Sequence, residues 1–133
     1  MQILTYNIPG DPISVLRVEN ADNPRIWDDY KHQRFCFEQR LRNLRDEAPL
    51  IKEPIEVEIT FYIDSHMKTP TSNKKPTHHQ TLPTLLSLFN FVDNAMIGIV
   101  YKNDRIIYSS KLTKKYSNEP RTEITIKRRD KDE

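Results

Sequence analysis

Few residues in this chain have the type and spacing to do chemistry. Two adjacent histidines, His78 and His79, precede a stretch, TLPTLLSLFNFVDNAMIGIVYKNDRI (residues 81–106), that closes on Asn103, Asp104 and Arg105. Neighbouring residues in a loop point in different directions, so a histidine pair at i, i+1 seldom holds one metal ion. No third ligand sits at a recognisable spacing either. Contact with solvent or with DNA phosphate suits the pair better. Asp104 follows the apolar run Ile99-Val100-Tyr101; taken alone it reads as a turn aspartate. Three loop lysines, Lys68, Lys74 and Lys75, could neutralise phosphates or simply be solvated. No nucleophile elbow, His-Glu-x-x-His motif or Ser/His/Asp arrangement is present. The turn Thr84-Leu85-Leu86-Ser87, where a helix begins beside these groups, holds no acid at all.

The elements that must position these residues follow from periodicity. Residues 2–7 alternate as a short strand, stopped by Pro9-Gly10-Asp11-Pro12. From Trp27 the pattern turns helical. Asp28 or Asp29 is the expected cap, Trp27, Tyr30, Phe37, Leu41, Leu44 and Ala48 the apolar face, and Lys31, His32, Arg40, Arg42 and Arg45 the basic one. Pro49 is the expected stop. Residues 55–63 (IEVEITFYI) alternate strictly, which predicts a half-buried strand with Ile55, Val57, Ile59, Phe61 and Ile63 inward. A long polar connection, 64–82, leads to a second helix over 84–97. Its predicted buried stripe is Leu85, Leu88, Phe89, Val92 and Met96, widened by Leu86, Phe91 and Ala95, and Gly98 ends it. Strands over 105–115 and 121–128, joined by a turn at 117–120, complete an α+β fold: a small, mixed, mostly antiparallel sheet with two helices. One domain over residues 1–133 is expected, with 64–82 a mobile loop and 129–133 a frayed tail.

Composition narrows the function. The net charge is +2, but Lys and Arg cluster in 31–45, 68–75, 111–115 and 127–131, which permits a nucleic-acid-binding face. Gly10 and Gly98 are the only glycines, too few for a P-loop or dinucleotide cradle, so a nucleotide cofactor is not expected. Cys36 is the only cysteine, which points to a reducing, cytoplasmic setting. The N-terminus lacks a signal-peptide pattern, and no apolar run is long enough for a membrane helix. A soluble intracellular protein is the expectation.

Taken in order, these segments resemble the RusA family of Holliday-junction resolvases. YNIPGDPISVLR is similar to the family's opening strand and its Pro-Gly-x-Pro-Ile segment. RIWDDYKHQRFCFEQRLRNL resembles the aromatic-Asp start of its first helix, and EVEITFYI its second strand. PTSNKKPTHH looks like its mobile Ser- and Lys-rich loop. FNFVDNAMIGIVYKNDRII is similar to its helix, glycine and Tyr-x-Asp-Asp-x-x-Ile segment, and KYSNEPRTEITI to its closing strands. No one of these is highly specific; six in the right order are. The resemblance covers nearly the whole chain. It implies a homodimer that binds four-way DNA junctions and, in active members, cuts them using Mg²⁺ held by clustered carboxylates. Those carboxylates come from Asp-x-Asp-Asn at the start of the second helix and an Asp-Asp pair just after it, with a helical lysine assisting.

The sequence departs from that pattern at the site itself. Aligned through Gly98, Thr84 and Leu86 stand where the two aspartates of Asp-x-Asp-Asn would be, Ser87 on its asparagine and Asn90 on the lysine. Asn103 and Asp104 replace the Asp-Asp pair, so Asp104 alone keeps a ligand position. The resulting expectation is a RusA-like protein of DNA recombination and repair, a pseudoenzyme whose Mg²⁺-dependent nuclease is lost or weakened. It would contact branched or duplex DNA through Lys68, Lys74, Lys75, His78 and His79, aided by the basic face of the first helix. One alternative is an active junction endonuclease with a rearranged metal site, Asp104 being joined by Asp93, Asp64 or the histidine pair. A further alternative is a protein-interaction module on the same fold.

Overall fold

The structure, a computed structural model, describes residues 2–14, 24–64 and 84–129. Its elements are β1 (Gln2–Pro9), α1 (Pro24–Arg45), β2 (Ile55–Asp64), α2 (Leu85–Met96), a 3₁₀ turn (Asp104–Ile106), β3 (Ile107–Ser117) and β4 (Arg121–Arg128). The four strands form one sheet in the order β1-β4-β2-β3. β4 runs antiparallel to both β1 and β2, while β3 runs parallel to β2. The expected α+β class, with a mixed and mostly antiparallel sheet, is what the chain adopts. The parallel pair follows from connectivity: β2 and β3 are separated by α2, and a crossover of that length is what parallel neighbours require.

β2 forms where strict alternation predicts it, and its inward set, Ile55, Val57, Ile59, Phe61 and Ile63, is buried throughout. Ile124 and Ile126 of β4 and Tyr6 and Ile8 of β1 extend that apolar face. Phe37 and Leu41 of α1, with Leu88, Phe91, Val92, Ala95 and Met96 of α2, cover it in one hydrophobic cluster. The two helices lock through Phe91, which meets the edges of Tyr30 and Phe37 with ring centroids 5.8 and 5.2 Å apart; such T-shaped contacts add to the stabilisation from burial.

Three local expectations are corrected. First, α1 begins at Pro24, so Asp28 and Asp29 lie exposed inside the helix rather than capping it. A proline suits a first turn because its missing N–H has no partner to lose there. Second, α1 stops at Arg45, four residues before Pro49, where Asp46 turns left-handed with φ 54°. The face is also rotated: Trp27, Leu44 and Ala48 are exposed, whereas Arg45 is only 6% exposed. Arg45 goes inward because partners meet it, its guanidinium donating to the Tyr6 hydroxyl and to the Pro49 carbonyl. Third, Leu86 does not widen the stripe of α2; at 67% exposure it stands in solvent. After α2 the apolar run Ile99-Val100-Tyr101 is buried in a turn. Gly98, at φ 90°, reverses the chain, and Tyr101 bridges to Ile51 and Ile97. Among the described residues no helix is long and apolar enough to cross a membrane.

Candidate functional site

The first turn of α2 is built for capping. Thr84 Oγ1 accepts from the Ser87 backbone N–H at 3.2 Å, satisfying one of the donors that every helix start leaves open. Ser87 is buried, and its hydroxyl hydrogen-bonds the hydroxyl of Ser14. Leu86 and Asn90 face solvent. The three positions 84, 86 and 90 therefore offer no charge, and two of their neighbouring oxygens, on Thr84 and Ser87, are already engaged.

Asp104 opens the 3₁₀ turn after α2 and is exposed. Asn103 holds that turn by accepting from the Arg105 backbone N–H at 2.9 Å through Oδ1. The residue that meets Asp104 is Asp93, from the last third of α2. Asp93 is 7% exposed, accepts a hydrogen bond from the Tyr101 hydroxyl at Oδ1, and lies close enough to Asp104 for their carboxyls to hydrogen-bond and repel. Burial pushes the Asp93 carboxyl up to about 6; the Tyr101 bond opposes that rise, and the Asp104 carboxyl and its charge add to it. Burial, then the Asp93 bond, also raises the Tyr101 phenol far above its ordinary range. The structure thus brings together Asp93, Tyr101 and Asp104.

Other candidates are elsewhere. Asp64 ends β2 opposite Ser117, at the far end of β3 from Asp104. Ten residues of strand separate those ends, roughly 30 Å at ~3.3 Å per residue, so Asp64 does not join Asp104. Lys68, Lys74, Lys75, His78 and His79 lie outside the described residues.

Asp93 was readable only as an outside chance. Its signal is that it sits on the apolar stripe, four residues after Phe89 and three before Met96, and a carboxylate on a buried stripe demands a partner. Which partner, the sequence does not say, because the contact depends on how the chain folds back after Gly98.

A mixed four-stranded sheet backed by two helices, with an aspartate in the turn after the second, defines a small α+β domain. The family model for endodeoxyribonuclease RusA matches residues 9–127. The chain belongs to the RusA endodeoxyribonuclease family, whose members are metal-dependent nucleases, generally using Mg²⁺, that bind branched DNA and resolve Holliday junctions. No curated protein matches the sequence.

That family implies Mg²⁺, a hard cation that takes oxygen ligands in near-ideal octahedral geometry. The donors around Asp104 do not fit it. Among the described residues its carboxylate neighbour is Asp93, which is buried and bonded to Tyr101, while the Asn103 side-chain oxygen holds the 3₁₀ turn. Among the described residues no group of three or more His, Cys, Asp or Glu side chains is placed to share an ion.

Proposed function

We propose that this protein is a homodimeric RusA-fold protein of DNA recombination and repair that binds branched or duplex DNA, with its Mg²⁺-dependent endonuclease activity lost or severely weakened. The observation that carries the reading is the donor set at Asp104. The position keeps its carboxylate, but the neighbouring carboxylate is buried at Asp93, and Thr84, Leu86, Asn90 and Asn103 are neutral. Without a second solvent-facing carboxylate, the ion that activates water and offsets charge on the phosphate has little to hold it. DNA binding does not need that ion: phosphate contacts by lysine and arginine release counterions and supply affinity by themselves.

A labelled four-way junction tests both halves. Binding is expected in the absence of metal, weakening steeply as salt rises, with no strand cleavage on adding Mg²⁺ or Mn²⁺. Binding that hardly responds to salt would sink the DNA half, and metal-dependent nicking would sink the other. A second reading, a working nuclease with a rearranged site, has one observation in its favour: Asp93 does stand beside Asp104. It requires Asp93 to ionise and leave Tyr101 for the metal. Cleavage that disappears in Asp93→Asn would establish it.

A further inference from the structure

β3 is an edge strand, and its charge is one-sided. From Arg105 to Ser117 the chain carries Arg105, Lys111, Lys114 and Lys115 and no acidic residue. Among the described residues no strand pairs with the outer side of β3. The register with β2 places Lys111 beside Glu58 and Lys115 beside Tyr62, on the sheet face away from the helices, while Lys114 lies beside Phe61 on the core side. There burial pulls the Lys114 ammonium below its usual range.

The acids on that face bond to other side chains rather than to the two outer lysines. Glu58 accepts from Lys127 at 3.0 Å, Glu56 from the Tyr108 hydroxyl at 2.8 Å, and Glu123 from Arg121 at 3.0 Å. Arg121 also stacks over the Tyr62 ring, 3.7 Å from its centroid, so the row Lys115–Tyr62–Arg121 presents two cations on either side of an aromatic ring. The Lys111 and Lys115 side chains have no hydrogen-bond or ion-pair partner among the described residues and are exposed.

We propose that the open edge and outer face of β3 form a phosphate track for a DNA duplex, with Lys111 and Lys115 as its contacts; the proposal rests on the DNA-binding reading above. Three observations carry it. Its two lysines are exposed and have no ion-pair partner among the described residues. It begins at the Asp104 turn and ends where Ser117 meets Asp64, so it runs the whole length of the open edge. Its dimensions also suit: residues four apart on a strand are separated by about 13 Å, close to the ~12 Å width of a major groove. Lysines on an edge strand can serve only to deter pairing with another sheet. β1, the opposite edge, carries not one charged residue in QILTYNIP, so deterrence alone does not account for the difference.

The test compares Lys111→Gln/Lys115→Gln with Lys111→Arg/Lys115→Arg in the full chain, binding a four-way junction across a salt series. Each lost phosphate contact should lower the slope of log affinity against log salt by ~0.9. The Gln pair should therefore lose close to two units of slope and at least tenfold in affinity at ~0.1 M salt, while the Arg pair keeps both. Unfolding midpoints of both variants should match the parent, since both side chains project into solvent. A Gln pair that binds like the parent overturns the track while leaving DNA binding standing, and equal losses in the Arg pair overturn it too. If the parent itself fails to bind, the DNA reading fails first and the track falls with it.

Discussion

The Tyr101 hydroxyl donates to Asp93 Oδ1, and that bond ties the last third of α2 to the turn bearing Asp104. Asp93 is thereby a carboxylate that the fold holds beside the Asp104 turn. Its neighbours decide its charge: burial and Asp104 favour the protonated form, Tyr101 the ionised one.

A stability profile against pH follows. The folded-state pKa of Asp93 is raised from 3.8 to about 6, so its contribution is fully present below the unfolded value and is lost as pH rises through about 6. Asp93→Asn removes that titration, retains an acceptor for Tyr101 and ends the repulsion with Asp104. In metal-free buffer the midpoint of the variant relative to the parent should climb between about pH 4 and pH 7, by the equivalent of ~1–3 kcal/mol. Urea or thermal midpoints measure it. Parallel curves for the two proteins would mean that Asp93 does not titrate in that window.

Tyr101→Phe keeps the ring in its fully buried site but leaves Asp93 Oδ1 without its donor. An ionised acceptor loses more than a neutral one, about 1.5–3 kcal/mol against about 0.5–1.5. The destabilisation should therefore be larger at pH 8 than at pH 5. Unfolding midpoints at the two pH values check it, and a pH-independent loss would assign Tyr101 to packing alone.

How far the sequence reached depends on the range of each contact. β2 was legible residue by residue, because its alternation is local and its inward set is set by period two. Asp104 was legible as a turn aspartate, and it opens the 3₁₀ turn after α2. Arg45 and Leu44 were exchanged between faces, since periodicity registers hydrophobicity but not the Tyr6 hydroxyl and Pro49 carbonyl waiting for a guanidinium. The Asp93–Asp104 meeting was beyond local pattern: Asp93 is on a helix, Asp104 is past a glycine reversal, and the segment between them, read as an apolar run, packs as a turn against Ile51. In each case what was missed is a partner distant in sequence.

Leu86 offers a test of what the start of α2 is for. It is 67% exposed in the first turn, which has no acidic residue. Leu86→Asp removes little buried surface and places an anion near the positive end of the helix dipole, worth about 0.3–1 kcal/mol. The midpoint should stay level or rise slightly. Light scattering on parent and variant is informative: a dimeric parent beside a well-folded monomeric variant would locate Leu86 in a self-association surface.

Mg²⁺ should do little for this fold. A ligand that binds only the folded state stabilises it by RT ln(1 + [L]/Kd), about 2.7 kcal/mol when the ligand is at ~100 times Kd. A full carboxylate site with Kd near ~0.1 mM would, at ~10 mM Mg²⁺, raise the midpoint of a domain this size on the order of 10 °C. With Asp93 held by Tyr101 and neutral residues at positions 84, 86, 90 and 103, the expected shift is no more than about 2 °C. Ca²⁺ and Mn²⁺ serve as comparisons, because Ca²⁺ tolerates irregular oxygen shells that Mg²⁺ rejects. Asp104→Asn distinguishes the sources of any shift: one that vanishes in the variant comes from this turn, whereas one that survives comes from elsewhere on the chain. A large Mg²⁺ shift abolished by Asp104→Asn would mean that Asp93 is released from Tyr101 on metal binding, and would turn the reading from a lost nuclease to a rearranged one.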